Sequence, residues 1–184
     1  MYKFFTRIFL PVTLMIFVVA CEGDPGPPGL DGLDGLDGLD GQPAEVLEIE
    51  GDFTNANNFS IFFEFPNDVE VFESDAVLVF WLEEVVDDGN GGTIDVWTPL
   101  PQSFFLNEGT LQLTFNHTFV DVDIFLTGDF DLNNAPANFT DDQIFRIVVV
   151  PGIFAQNATV DLNDLSAVMN ALNLSSKDIQ RVGL

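Results

Sequence analysis

"TLQLTFNHTFVDVDIFLTG", from Thr110 to Gly128, is the stretch that decides the fold class. Leu111, Leu113 and Phe115 share one parity. Val120, Val122, Ile124 and Leu126 share the other, with Asp121 and Asp123 between them. Alternation with period two marks strands that bury one face. The apolar face changes phase between Asn116 and Phe119, and a one-residue slip turns every side chain to the opposite face. A bulge, bend or turn is expected there.

The flanking sequence reads the same way. Phe59, Ile61, Phe63 and Phe65 alternate with Ser60 and Glu64, which predicts another strand with one buried face. "AVLVFWLEEVV" and "QIFRIVVVP" are continuous apolar runs, as expected of strands in the middle of a sandwich. Between Val86 and Thr93, "DDGNGG" supplies residues that tolerate positive φ, which predicts a hairpin into "TIDVW". One amphipathic helix is expected near the end. Asp161 is its predicted cap, and Leu162, Leu165, Val168, Met169 and Leu172 form its apolar face. The sequence-based expectation is a mainly β chain: an antiparallel β-sandwich head with one C-terminal amphipathic helix.

The head is expected over residues 44–184. Two different segments precede it. Residues 1–20 carry Lys3 and Arg7, then the apolar run "IFLPVTLMIFVVA", too short to span a bilayer and shaped like a secretory signal peptide. Residues 21–43, "CEGDPGPPGLDGLDGLDGLDGQP", place glycine at every third position: Gly23, Gly26, Gly29, Gly32, Gly35, Gly38 and Gly41. Only glycine fits the axis of three wound polyproline-II chains, so this period permits a homotrimeric stalk. Against winding stand Asp31, Asp34, Asp37 and Asp40, repeated in every chain with no cation in the stretch. An extended single-chain spacer fits the same residues. A calcium repeat of the nine-residue kind does not.

Charge removes whole classes of partner. The chain has 30 Asp and Glu against 5 Lys and Arg, a net charge of −25. Beyond Cys21 the cations are Arg146, Lys177 and Arg181. Nucleic acid is excluded, because phosphate contacts need basic side chains. His117 is the single histidine, and no serine lies in a G-x-S-x-G elbow. Neither a G-x-G-x-x-G nor a P-loop is present. The expectation is a protein without enzymatic activity and without a resident cofactor. A carboxylate-based hydrolase is the remote alternative, since acids are abundant. The nearer alternative is a surface module that binds glycan or Ca²⁺. Glycan would call for an exposed aromatic platform, for which Trp81 and Trp97 are the residues to inspect. Ca²⁺ needs clustered hard oxygens, and "GDFDLNN" offers Asp129, Asp131 and Asn133, with Asp141 and Asp142 a short way on.

"VVAC", with Cys21 directly after the apolar core, resembles the lipobox of bacterial lipoproteins. Lipobox, Gly-x-y stretch and acidic β head together resemble collagen-like surface lipoproteins of Bacteroidota. "FRIVVVPG" and "DLNDLSAVMNALNL" are similar to the head of such proteins. The resemblance implies palmitate-type acylation of Cys21, a lipid bilayer as partner, a place in the bacterial envelope at the outer membrane or cell surface, and a structural or adhesion-like role with a protein or glycan partner. It carries no catalytic residue across.

Overall fold

The computed structural model describes residues 44–157 and 159–183. The signal segment, Cys21 and the seven stalk glycines lie outside the described residues. The strands are β1 (Glu45–Gly51), β2 (Ser60–Glu64), β3 (Ala76–Asp87), β4 (Thr93–Pro99), β5 (Gln102–Phe105), β6 (Thr110–His117), β7 (Asp121–Gly128), β8 (Gln143–Val150) and β9 (Ile179–Arg181). The first sheet has the order β4-β3-β8-β1-β9 and the second β2-β7-β6-β5.

The second sheet follows its alternation. Ile61 and Phe63 from β2, Leu111 and Leu113 from β6, and Val122, Ile124 and Leu126 from β7 are buried. They share one cluster with Leu47, Ile49, Val77, Val79, Trp81, Phe145, Ile147 and Val149 of the first sheet. The two sheets therefore enclose a common core. The phase change at Asn116–Phe119 is the turn between β6 and β7, closed by Thr118 N–H donating to the Asp121 carbonyl at 2.9 Å. The β3–β4 hairpin forms as expected, with Gly89 and Gly91 at positive φ.

The first sheet is covered twice. Its other face sends Val46, Phe80, Val148 and Val150 into a second cluster with Leu165 and Val168. The continuous apolar runs of β3 and β8 are explained by this double burial, since such a strand has no wet face to alternate with. The cover is made by α1 (Gly152–Asn157) and α2 (Leu165–Ala171). Helix α2 carries the expected apolar face, but its cap is Asp164, which accepts the Ala167 N–H at 3.0 Å. Asp161 instead accepts the Asn163 N–H in the preceding turn, at 2.9 Å.

Two elements depart from the sequence reading. Helix α1 continues directly from the apolar run of β8, so its residues gave no separate periodic signal. Strand β9 pairs with β1 in parallel, which makes the first sheet mixed rather than wholly antiparallel. Three residues are too few for alternation to show. Gly152 sits where the chain turns into α1. A Cβ there would meet the Ser74 carbonyl oxygen, and its N–H donates to Asp75 Oδ1 at 3.0 Å.

Candidate functional site

The covered face of the first sheet gathers two of the three cations found beyond Cys21. Strand register places Arg146 of β8 directly opposite Glu48 of β1, and Arg181 of β9 opposite Glu48 on its other side. Arg146 Nε lies 2.9 Å from Glu48 Oε2, and Arg181 Nε 2.9 Å from Glu48 Oε1. Arg146 also lies 4.0 Å from Asp95 and stacks over Trp97 at 3.9 Å from the ring centroid. Glu48 and Arg146 expose only 13% and 14% of their side chains, whereas Arg181 exposes 83%. A half-buried pair of this kind contributes little net stability, yet leaving one partner alone is costly. The cluster pins β9 to β1 and holds Trp97 under a guanidinium. Beside it runs an open groove lined by Glu50, Asp52, Asp142, Ile144 and Arg181. Asp52 is already engaged there, accepting the Asp142 N–H at 2.7 Å.

Neither tryptophan is an exposed platform. Trp81 is buried, donates from Nε1 to Gln143 Oε1 at 2.8 Å and stacks on Phe139. Trp97 presents its face to Arg146. The sheet face left open is that of β2-β7-β6-β5, where Phe62 is 59% exposed and Ser60 donates to Asp123.

Of the oxygens suggested for Ca²⁺, those of Asp129 and Asp131 accept backbone N–H groups and those of Asn133 and Asp141 accept side chains. Asp129 Oδ1 accepts the Thr110 N–H at 2.6 Å. Asp131 Oδ1 accepts the Asn133 N–H and side-chain amide at 3.0 and 2.8 Å, and these bonds hold its carboxyl below the usual range. Asn133 Oδ1 accepts from Asn55. Asp141 accepts the Thr140 hydroxyl at 2.7 Å. Asp142 occupies a left-handed turn, at φ 53°. Among the described residues no three acid, histidine or cysteine side chains are grouped as a metal ion requires. The D-x-D-x-N spacing reflects the cap of a 3₁₀ turn at Leu132–Asn134.

His117 lies exposed at the end of β6, stacked on Phe115 at 6.1 Å. It borders a small notch with Val77, Phe72 and Phe119. Ser60 and Ser74 bond Asp123 and Asp75, not this imidazole. Glu45 is the one described carboxyl displaced upward, by burial first and by the Asp68 charge second. Neither Glu45 nor Asp68 lines the notch or the groove.

No protein-family model, curated protein or solved structure matches the chain. Among the described residues no helix is long and apolar enough to cross a membrane. Sequence reasoning missed the Glu48 cluster. Its one legible sign was Arg146, a lone cation inside an apolar run; the partner depended on strand register.

Proposed function

We propose that the chain is a lipid-anchored protein of the bacterial envelope, with a β-sandwich head carried on a Gly-x-y stalk. Residues 1–20 direct export, and Cys21 becomes the acylated N-terminus. The head serves a structural or adhesion-like role at the surface, without catalysis. The carrying observation is the order "VVAC", seven Gly-x-y triplets, then a first strand beginning at Glu45, only four residues beyond Gly41. One acyl chain holds a membrane weakly and two or more hold it stably, so a multiply acylated cysteine replaces a spanning helix. The net charge of −25 favours a solvated surface and repels anionic partners. Metabolic labelling with a palmitate analogue tests the reading. Label is expected on the wild type and not on Cys21→Ser, with loss of membrane partition in the variant. Equal labelling of both overturns the anchor.

A further inference from the structure

The turn between β3 and β4 carries the single Asn-Gly pair of the chain, Asn90-Gly91. Residues 87–95 are all exposed. Around the pair, backbone N–H groups are held by carboxylates. Gly89 donates to Asp87 Oδ1 at 2.6 Å, and Asn90 and Gly92 both donate to Asp88 Oδ1, at 2.7 and 2.9 Å. The N–H groups of Asn90 and Gly92 hold the Asp88 carboxyl below its usual range, so it stays a charged acceptor at neutral pH. Gly91 stands between them, and its N–H meets no acceptor among the described residues. Its φ is +88°, and a Cβ built there would meet nothing within 4 Å.

We propose that Asn90 is a self-modification site, where the Gly91 nitrogen closes on the Asn90 side chain and water converts the amide to aspartate and isoaspartate. The Gly91 nitrogen gives its proton to water and attacks Asn90 Cγ. The new N–Cγ bond closes a five-membered imide as the Cγ–Nδ2 bond breaks, and the amide nitrogen leaves as ammonia. Water then opens the ring. Opening at the N–Cγ bond gives aspartate. Opening at the backbone carbonyl gives isoaspartate, whose main chain runs on through Cγ. A water is taken up, an ammonia is released, and nothing is oxidised or reduced.

Asn90 differs from the other asparagines in what surrounds it. Gly91 has no side chain to obstruct the ring. Its N–H is free, while the N–H groups on either side are pinned by one oxygen. The departing amide makes one long bond, from Nδ2 to the Asp88 carbonyl at 3.3 Å. Asn57 and Asn133 hold theirs closer, to the Asp52 carbonyl at 2.7 Å and to Asp131 at 2.8 Å. The consequence falls on β4, the edge strand, which β3 alone holds. Isoaspartate lengthens the turn that closes Asp87 on Thr93, next to the pairs Val86–Ile94 and Val85–Asp95. Either product also adds a negative charge beside Asp87 and Asp88, which repel it. The register shift between Leu82 and Glu84 separates these pairs from Trp97, so the stack on Arg146 is spared.

The test is ageing of the full chain in neutral buffer with non-ionic detergent, followed by digestion and mass spectrometry of every asparagine peptide. The Asn90 peptide is expected to gain about one dalton before any other. A methyltransferase specific for isoaspartate is expected to label that peptide. Asn90→Gln is expected to show neither change, because its longer side chain would have to close a six-membered ring. Hydrogen exchange of the aged protein is expected to quicken over residues 93–96 and to stay unchanged over residues 145–148, inside the sheet. Conversion of another asparagine ahead of Asn90 overturns the inference, as does conversion of Asn90 that occurs only in urea. Aged protein that carries isoaspartate, yet exchanges as before over residues 93–96, overturns the loosening of β4.

Discussion

The two sheets solve different problems with the same kind of strand. The sheet β2-β7-β6-β5 buries one face and wets the other, and its sequence alternates. The sheet β4-β3-β8-β1-β9 is covered on both faces along Ala76–Trp81 of β3 and Ile147–Val150 of β8, and there its sequence runs apolar. The difference extends to charge. On the wet face Glu64 stands directly opposite Asp121, two like charges side by side, with Asp121 accepting the Thr118 hydroxyl at 2.8 Å. On the covered face Glu48 is held between two arginines. A strand's pattern thus reports how many of its faces are covered, and a charge on a twice-covered strand must bring its partner with it.

The largest effect that can break this comparison is truncation on the helix-covered face. Phe80 is fully buried there, while Phe62 is 59% exposed on the open sheet. Phe80→Ala is expected to cost about 3–5 kcal/mol in urea unfolding. Phe62→Ala should stay within about 0.5 kcal/mol. Similar costs for the two would mean that α1 and α2 do not form a second core.

Charge removal sharpens the contrast at a smaller scale. Glu48→Gln leaves Arg146 half-buried without its carboxylate and is expected to cost about 1–3 kcal/mol. Glu64→Gln relieves the cross-strand pair with Asp121 and should gain about 0.2–1 kcal/mol. Both remove one negative charge, so chemical unfolding at a single ionic strength separates local pairing from global repulsion. A gain in both variants would show that repulsion outweighs the cluster.

The smallest effect is a dependence on pH. Burial and Asp68 raise the Glu45 carboxyl above its ordinary 4.5, so the fold favours its protonated form. A raised carboxyl contributes stability at low pH and loses it as pH climbs from about 4.5 through the folded value. Glu45→Gln should therefore melt above the wild type at pH 7, and the gap should close below pH 4.5. Asp131 runs the other way. Its carboxyl is depressed by Asn133, so its contribution is present above its ordinary 3.8 and lost as pH falls further. A Glu45→Gln gap that persists in acid would assign the effect to packing.

Strand identity in this chain was legible wherever local period carried it: Leu111 to Leu126, Ile61 to Phe65, and the hairpin at Gly89–Gly92. The amphipathic face of Leu165 and Val168 was legible too. What covers the first sheet was not, because a continuous apolar run does not say whether its second neighbour is a sheet or a helix. Helix α1 was hidden behind that run. The Glu48 cluster was hidden by register, since 98 residues separate Glu48 from Arg146. In the acidic loop the spacing carries two meanings at once: Asp and Asn at alternate positions cap a tight turn with the same oxygens that would bind a cation.

The position of β1 has a mechanical consequence. The chain enters the head through this strand, which lies inside the sheet between β8 and β9 rather than at an edge. Its ladder bonds to β8 run across the strand direction. Tension applied from the N-terminal side pulls along β1, so those bonds are loaded together in shear instead of parting one at a time like a zipper. The fold resists tension at the point where its first strand begins.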